Sequence, residues 1–259
     1  RATASTRIVA GVSSWEARTP GVAVVIGIGG AGQRARTPAY IDGAADVASG
    51  PTALGDYDAD GGLDLFVGAR AVAANYPRGA SSMLYRNDAG RFVMDSAASR
   101  PLANLGLVSA AVFADMDGDG DDDLLVAREW QSLQLLMNDR GSFRPASGRM
   151  AQEFERWTSR WNGVATGDLN GDGRLDIVAT SWGRNTVFQP DSGRPVMLLH
   201  GGFGPGGAEE MLVAQHDSRI GALAPLNSYP RVRVAVPDIT DRVRRFVQYR
   251  DASVEQVLG

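Results

Sequence analysis

The 259 residues contain no cysteine and only two histidines. The first absence excludes disulfides and thiolate metal sites while being neutral about compartment. The second leaves His200 and His216 as the only imidazole bases, and neither lies in a nucleophile or metal motif. Aromatic residues are sparse at 7%, and no apolar run reaches the length of a membrane span. Positive charge is not in excess either: 26 basic against 30 acidic side chains leave −4, without the basic patch that marks nucleic-acid binders. What is present is a chain 44% hydrophobic, with 32 glycines, turn-rich and large enough for a sizeable core.

The acidic residues are unevenly placed. Residues 55–68 read GDYDADGGLDLFVG, with Asp56, Asp58, Asp60 and Asp64 inside nine positions. Carboxylates at 4 Å repel by about 1 kcal/mol per pair even in bulk water, so something must compensate them. The pattern returns as DMDGDGDDDL from Asp115 and DLNGDGRLDI from Asp168. Loop positions one, three, five and nine are then Asp56/Asp58/Asp60/Asp64, Asp115/Asp117/Asp119/Asp123 and Asp168/Asn170/Asp172/Asp176. Position six is Gly61, Gly120 and Gly173, where a sharp turn is expected to need positive φ. Leu65-Phe66-Val67, Leu124-Leu125-Val126 and Ile177-Val178-Ala179 follow, short apolar runs that read as buried strands.

Alternating oxygen donors around a glycine turn suit Ca²⁺, which takes 6–8 oxygens at about 2.3–2.6 Å. Backbone carbonyls at position seven, Gly62, Asp121 and Arg174, are expected to add a further oxygen in each loop. Mg²⁺, which keeps its waters and a strict octahedron, fits less well. The side chains of Asp121 and Asp122 fall between ligand positions and are expected to face solvent. An EF-hand is excluded: position twelve is Val67, Val126 and Ala179 where that motif needs Glu, and no helix-length pattern flanks the loops.

The loops recur after 59 and 53 residues. Within each interval Ser82-Met83-Leu84-Tyr85-Arg86-Asn87-Asp88 is echoed by Leu133-Gln134-Leu135-Leu136-Met137-Asn138-Asp139, and each is followed by a glycine turn and Phe92 or Phe143. Four antiparallel strands per repeat imply an all-β fold of β-propeller blades. The loop followed by LYRND and GRF resembles the FG-GAP or VCBS repeat of integrin-α-type propellers. Glu129-Trp130, residues 161–168 and residues 181–186 are similar to bacterial VCBS-repeat proteins related to cartilage acidic protein, with ASPIC/UnbV-type regions. The resemblance covers about residues 52–213. It implies a propeller with about three Ca²⁺ ions between the first two strands of successive blades, held by the twelve side chains above.

On this scheme residues 1–50 are the remnant of a preceding blade, 51–100 and 101–150 are blades with the first two loops, and 151–193 is a shortened third. Residues 194–225 begin a degenerate blade whose loop offers Gly202, Gly204 and Gly206 and is expected to hold no metal, and 226–259 form a helical insertion. One helix is expected from Asp238 as N-cap, with Ile239, Val243, Phe246 and Val247 on its apolar face. So few blades suggest a partial propeller from a longer protein. The glycine-rich residues 27–32 lack a following amphipathic helix and read as a hairpin turn, not a nucleotide loop.

The function expected is a calcium-binding scaffold for adhesion or binding, not an enzyme, with a protein or carbohydrate partner and neither nucleic acid nor a membrane span. Weak calcium loops, at about 10⁻⁴–10⁻³ M, fill outside the cytosol, which points to an extracellular, periplasmic or cell-surface location. Three bound Ca²⁺ would carry the net charge from −4 to +2. The alternative is a polysaccharide-active lyase or hydrolase on the same propeller, with Trp130, Trp157, Trp161 and Trp182 as a stacking surface in place of inter-blade wedges.

Overall fold

Apolar runs on either side of each acidic loop become paired strands. A computed structural model describes residues 6–11, 23–28, 39–41, 47–73, 75–182, 186, 188 and 193–259. It divides into two units, Arg1–Ser181 and Trp182–Gly259.

In the first unit β1 (Thr6–Gly11), β2 (Ala23–Ile28) and β3 (Ala39–Ile41) make a three-stranded antiparallel sheet. A four-stranded meander follows, of β4 (Val47–Gly55), β5 (Asp64–Val72), β6 (Met83–Asp88) and β7 (Arg91–Met94). After the short helix α1 (Ser96–Ser99) come β8 (Val108–Ala114), β9 (Asp123–Gln131), β10 (Gln134–Met137) and β11 (Arg144–Pro145). Helix α2 (Gly148–Glu155) then leads to β12 (Ser159–Gly167) and β13 (Asp176–Ser181). Each acidic loop is closed by the same pairing, Gly55 with Asp64, Ala114 with Asp123 and Gly167 with Asp176. Position nine is therefore the first residue of a strand, fixed in register by the residue before position one.

Burial explains the unbroken apolar runs. On β5, Leu65 and Val67 join Met83, Tyr85 and Val47 in one core, while Phe66 joins Leu84, Leu124, Val126 and Leu136 in another. A strand covered on both faces needs no alternation with polar residues. The close approach at one face requires glycine: a β-carbon on Gly55 would lie 2.5 Å from the Phe113 ring. By contrast β13 contains no fully buried residue, and Val178 is 45% exposed.

The expected all-β propeller is not the architecture observed. The strands lie in open sheets of three, six, three and four, none closed into a ring, and six α-helices accompany them among the described residues. Independent blades pack face to face without sharing a ladder. Here β9 pairs both with β8 and with β12, through Ser159 with Gln131 and Arg160 with Glu129, and thereby joins two expected blades into one six-stranded sheet. The third interval contributes only β12 and β13 to it. Buried Glu129 secures the junction: it pairs with Arg70 of β5 and Arg160 of β12, at 3.5 Å for the latter, and accepts from the Tyr76 hydroxyl at 2.8 Å.

In the second unit β14 (Met197–Gly201), β15 (Glu210–Asp217) and β16 (Ala222–Pro225) form an antiparallel sheet. Gly202, Gly204 and Gly206 lie in the β14–β15 connection, which turns through a 3₁₀ segment at Pro205–Gly207. Helices α3 (Tyr229–Ala235), α4 (Ile239–Arg242), α5 (Phe246–Arg250) and α6 (Val254–Leu258) follow. The single helix expected from Asp238 is thus two, with Val243 extended between them and Asp238 making no side-chain cap. The Val243 carbonyl is taken by the Tyr229 hydroxyl at 2.6 Å, and Phe246 and Val247 are each 64% exposed. No helix among the described residues is long and apolar enough to cross a membrane. Residues 29–32 of the glycine-rich segment and 183–185 of the Ser181 stretch lie outside the described residues.

Candidate metal centre

Position one is the pivot of every loop. In the first, Asp56 accepts from the amides of Asp60 (3.0 Å) and Gly61 (2.9 Å). In the second, Asp115 accepts from Gly118, Asp119 and Gly120 at 2.8, 3.1 and 3.1 Å. In the third, Asp168 accepts from Gly171, Asp172 and Gly173 at 2.7, 3.1 and 2.9 Å. Such a wrap needs left-handed backbone at position six, and Gly61, Gly120 and Gly173 have φ of 87°, 96° and 81°. Position four, unmarked in the sequence reading, is also left-handed: Ala59, Gly118 and Gly171 have φ of 58°, 82° and 77°.

The wrap brings carboxylates together. Oxygens of Asp56, Asp58 and Asp64 lie within 4.8 Å of one another, as do those of Asp115, Asp117 and Asp123. Two ligands of one Ca²⁺ can be no more than about 5 Å apart at ordinary bond lengths. Both groups could therefore hold a metal ion. Asp60 and Asp119 stand outside these groups and accept instead from the position-seven amides of Gly62 (2.8 Å) and Asp121 (3.0 Å). The third loop repeats the backbone wrap, with Asp172 accepting from Arg174 at 2.9 Å and Asn170 from the Asp172 amide at 2.8 Å. Its Asp168, Asp172 and Asp176 are not among the convergent groups found in the described residues.

Position nine distinguishes the loops most clearly. Asp64 and Asp123 are both fully buried. Asp123 is satisfied, accepting from Asn138 (2.8 Å) and Met116 (3.0 Å), and Asp176 accepts from Leu169 at 2.9 Å. Asp64 accepts from Asn87 at 2.8 Å through Oδ1, while its buried Oδ2 has no hydrogen-bond partner among the described residues. The Tyr57 amide, whose counterparts at Met116 and Leu169 do bond, favours the Asp64 charge without completing a hydrogen bond. Burial, reinforced by Asp58 and Asp60, pushes the Asp64 carboxyl up to about 6 against those two amides. Burial also raises Asp123 and Asp58, whereas the Gly173 amide and its neighbours hold Asp168 down. A buried anionic oxygen without a donor, facing two further carboxylates, is the environment that a cation relieves.

Two residues that the sequence reading placed only in strands complete the loops. Asn87 donates to the Leu63 carbonyl (2.8 Å) and accepts from Gly90 (2.7 Å), besides giving its amide to Asp64. Asn138 donates to the carbonyls of Tyr57 (2.8 Å) and Asp122 (3.1 Å) and accepts from Gly141 (2.9 Å). The repeated Asn-Asp at the ends of LYRND and LLMND is the signal that marks them. Of the two side chains expected to face solvent, Asp121 accepts from the Arg140 amide at 3.1 Å in an exposed bond, while Asp122 accepts from the Asp56 amide at 3.2 Å in a partly buried one. Position two anchors the first loop, where buried Tyr57 bonds Asp95 at 3.0 Å and packs on Phe143, its phenol pushed up by burial. The equivalent Leu169 of the third loop is 69% exposed.

Of the tryptophans, Trp130 donates to the Tyr76 hydroxyl at 2.9 Å beneath the Arg160 guanidinium, and Trp161 donates to the Trp157 carbonyl at 3.2 Å.

A family model described as an FG-GAP-like repeat matches residues 56–126 and again residues 115–179. Each match opens at position one of one loop and closes at position twelve of the next. No curated protein matches the chain.

Proposed function

We propose that the FG-GAP-like repeats bind Ca²⁺ through their acidic loops and that the chain is a calcium-stabilised binding scaffold outside the cytosol. The observation that carries this is the convergence of three carboxylates in each of two loops, one of them around the donorless Asp64 Oδ2. The first site would use Asp56, Asp58, Asp60 and Asp64, and the second Asp115, Asp117, Asp119 and Asp123. A third, more exposed site would use Asp168, Asn170, Asp172 and Asp176. The carbonyls of Gly62, Asp121 and Arg174 would contribute to each in turn. When bound, Ca²⁺ supplies the charge that offsets carboxylate repulsion and fixes the turn between paired strands. The protein's part is to hold position nine in register and to keep position one wrapped by amides.

The scaffold acts by binding and not by catalysis, with a protein or carbohydrate as partner. Its likeness in kind to VCBS-repeat proteins with ASPIC/UnbV-type regions belongs to the same reading. So does an extracellular, periplasmic or surface location, because loops with affinities of about 10⁻⁴–10⁻³ M fill only where free Ca²⁺ is millimolar.

Calorimetric titration of the chelator-stripped chain tests the proposal. Roughly three sites are expected, each adding about 2.7 kcal/mol of stability at free Ca²⁺ of 100 times Kd. Asp117→Ala should remove one of them. An absence of binding at millimolar Ca²⁺ withdraws the proposal.

A further inference from the structure

The first two acidic loops are tied to each other, and among the described residues no hydrogen bond ties the third to either. Position eight is Leu63, Asp122 and Leu175 in the three loops, so only the second carries a side chain there that can accept a hydrogen bond. Asp122 accepts from the amide of Asp56, the position-one residue of the first loop, at 3.2 Å. Asn138 makes a second tie: its side chain holds the carbonyl of Tyr57, between Asp56 and Asp58, at 2.8 Å. The turn after β10 also abuts this segment, since a β-carbon on Gly141 would stand 3.6 Å from the Tyr57 ring and 3.8 Å from the Asp58 β-carbon. Two of the three convergent carboxylates of the first loop thus stand on backbone anchored by the second repeat. In the third loop the side-chain bonds of Asp168, Asn170, Asp172 and Asp176 all close within the loop itself.

Both anchors are themselves bonded to the second loop's position nine or adjoin it. The Asn138 amide donates to Asp123 at 2.8 Å, its side chain bonds the Asp122 carbonyl at 3.1 Å, and Asp122 precedes Asp123 in the chain. We propose that Asp122 and Asn138 are positioning residues of the first calcium site and couple it to the second, so that these two loops fill cooperatively while the third fills alone. The inference rests on the calcium reading above. Without metal, Asp115, Asp117 and Asp123 repel one another within 4.8 Å, and that repulsion favours an opened second loop, which withdraws the anchors from Asp56 and Tyr57. A cation in the second loop offsets the repulsion, fixes Asp123 and keeps both anchors in place. The first loop then binds without bearing that ordering cost, and linkage makes the effect reciprocal.

The test follows the amides of Gly61, Gly120 and Gly173, one position-six reporter per loop, by NMR as Ca²⁺ is added to the chelator-stripped full chain. In the intact chain Gly61 and Gly120 should respond together along a sigmoidal curve, and Gly173 along a separate one. Asp117→Ala, which removes an exposed ligand of the second loop, should raise the half-saturation concentration at Gly61 about fivefold or more and leave Gly173 unmoved. Asp122→Ala should do the same at Gly61 while Gly120 still responds. Asp122→Asn keeps an oxygen acceptor for the Asp56 amide without the charge, so its Gly61 curve should lie closer to that of the intact chain than to that of Asp122→Ala. A Gly61 curve indifferent to Asp117→Ala and Asp122→Ala overturns the coupling and leaves the calcium reading intact. Equal losses in Asp122→Asn and Asp122→Ala assign the effect to charge and overturn the positioning role. A shift of all three glycines together marks general destabilisation and overturns it as well. No response at any of the three withdraws the calcium reading and the coupling with it.

Discussion

At Ala59 a β-carbon occupies a left-handed position that the other two loops fill with glycine, Gly118 and Gly171. A non-glycine residue there costs about 1–2 kcal/mol, partly offset by the greater freedom that glycine gives the unfolded chain. Ala59→Gly should therefore stabilise the protein by roughly 0.5–1 kcal/mol in urea denaturation. Asp64 sets a pH dependence. Its folded value, raised by burial to about 6 from an ordinary 3.8, means that the folded chain holds more protons than the unfolded chain between those values. Stability contributed by the protonated form is thus full below the ordinary value and lost as pH rises through about 6. Burial raises Asp123 and Asp58 in the same direction. The metal-free chain should melt higher at pH 5 than at pH 7. Saturating Ca²⁺, which requires the ionised carboxylates, should reverse the order, and Asp64→Asn should flatten the metal-free slope. Residues at this scale were legible where spacing determines them: positions one, three and nine converge in the first two loops as their intervals imply, whereas the exposed third loop repeats the wrap without that convergence. The left-handed position four escaped because alanine occupies it in the first loop and conceals the requirement.

Among the elements, the turn after β10 is tied to the first two acidic loops by Asn138. Its side chain satisfies two carbonyls and one amide, the Tyr57 carbonyl being 81 residues away in sequence. Asn138→Ala should cost about 3 kcal/mol in the metal-free chain, measured by urea midpoint, because partly or fully buried groups are left unpaired. Asn87→Ala, whose side-chain bonds are more exposed, should cost nearer 1 kcal/mol. Such long-range ties have no local signature, so the sequence showed a recurring Asn-Asp without revealing its work. The broken C-terminal helix has a similar origin. Ile239, Val243, Phe246 and Val247 have helical spacing, but the Val243 carbonyl belongs to Tyr229, and α5 instead buries Tyr249. Periodicity counts apolar residues; it does not identify which of them a distant hydroxyl will claim.

For the molecule as a whole, the metal-loop residues all lie in Arg1–Ser181, and Trp182–Gly259 has its own core around Leu212, Val232, Ile239 and Val257. Ca²⁺ should therefore slow amide hydrogen exchange in β4, β5, β8 and β9 and leave β15 and the C-terminal helices unchanged, as peptide-resolved exchange would show. The repeated strand–loop–strand unit was readable because every copy carries the same local pattern. The propeller expectation failed because a repeat period counts strands but does not state which edges will pair. The two-residue ladder between β9 and β12, with the register shift beside Arg160, depends on Glu129 meeting cations from two other strands.

The bonds between the first two loops also bear on how this chain can be cut and rejoined. Asp122 receives the Asp56 amide and Asn138 holds the Tyr57 carbonyl, so the first loop borrows part of its hydrogen bonding from the next repeat. The first repeat is consequently not a removable cassette. Excision between the first two repeats strands two backbone groups of the first loop, and its smallest transplantable module is the first two loops with the strands between them.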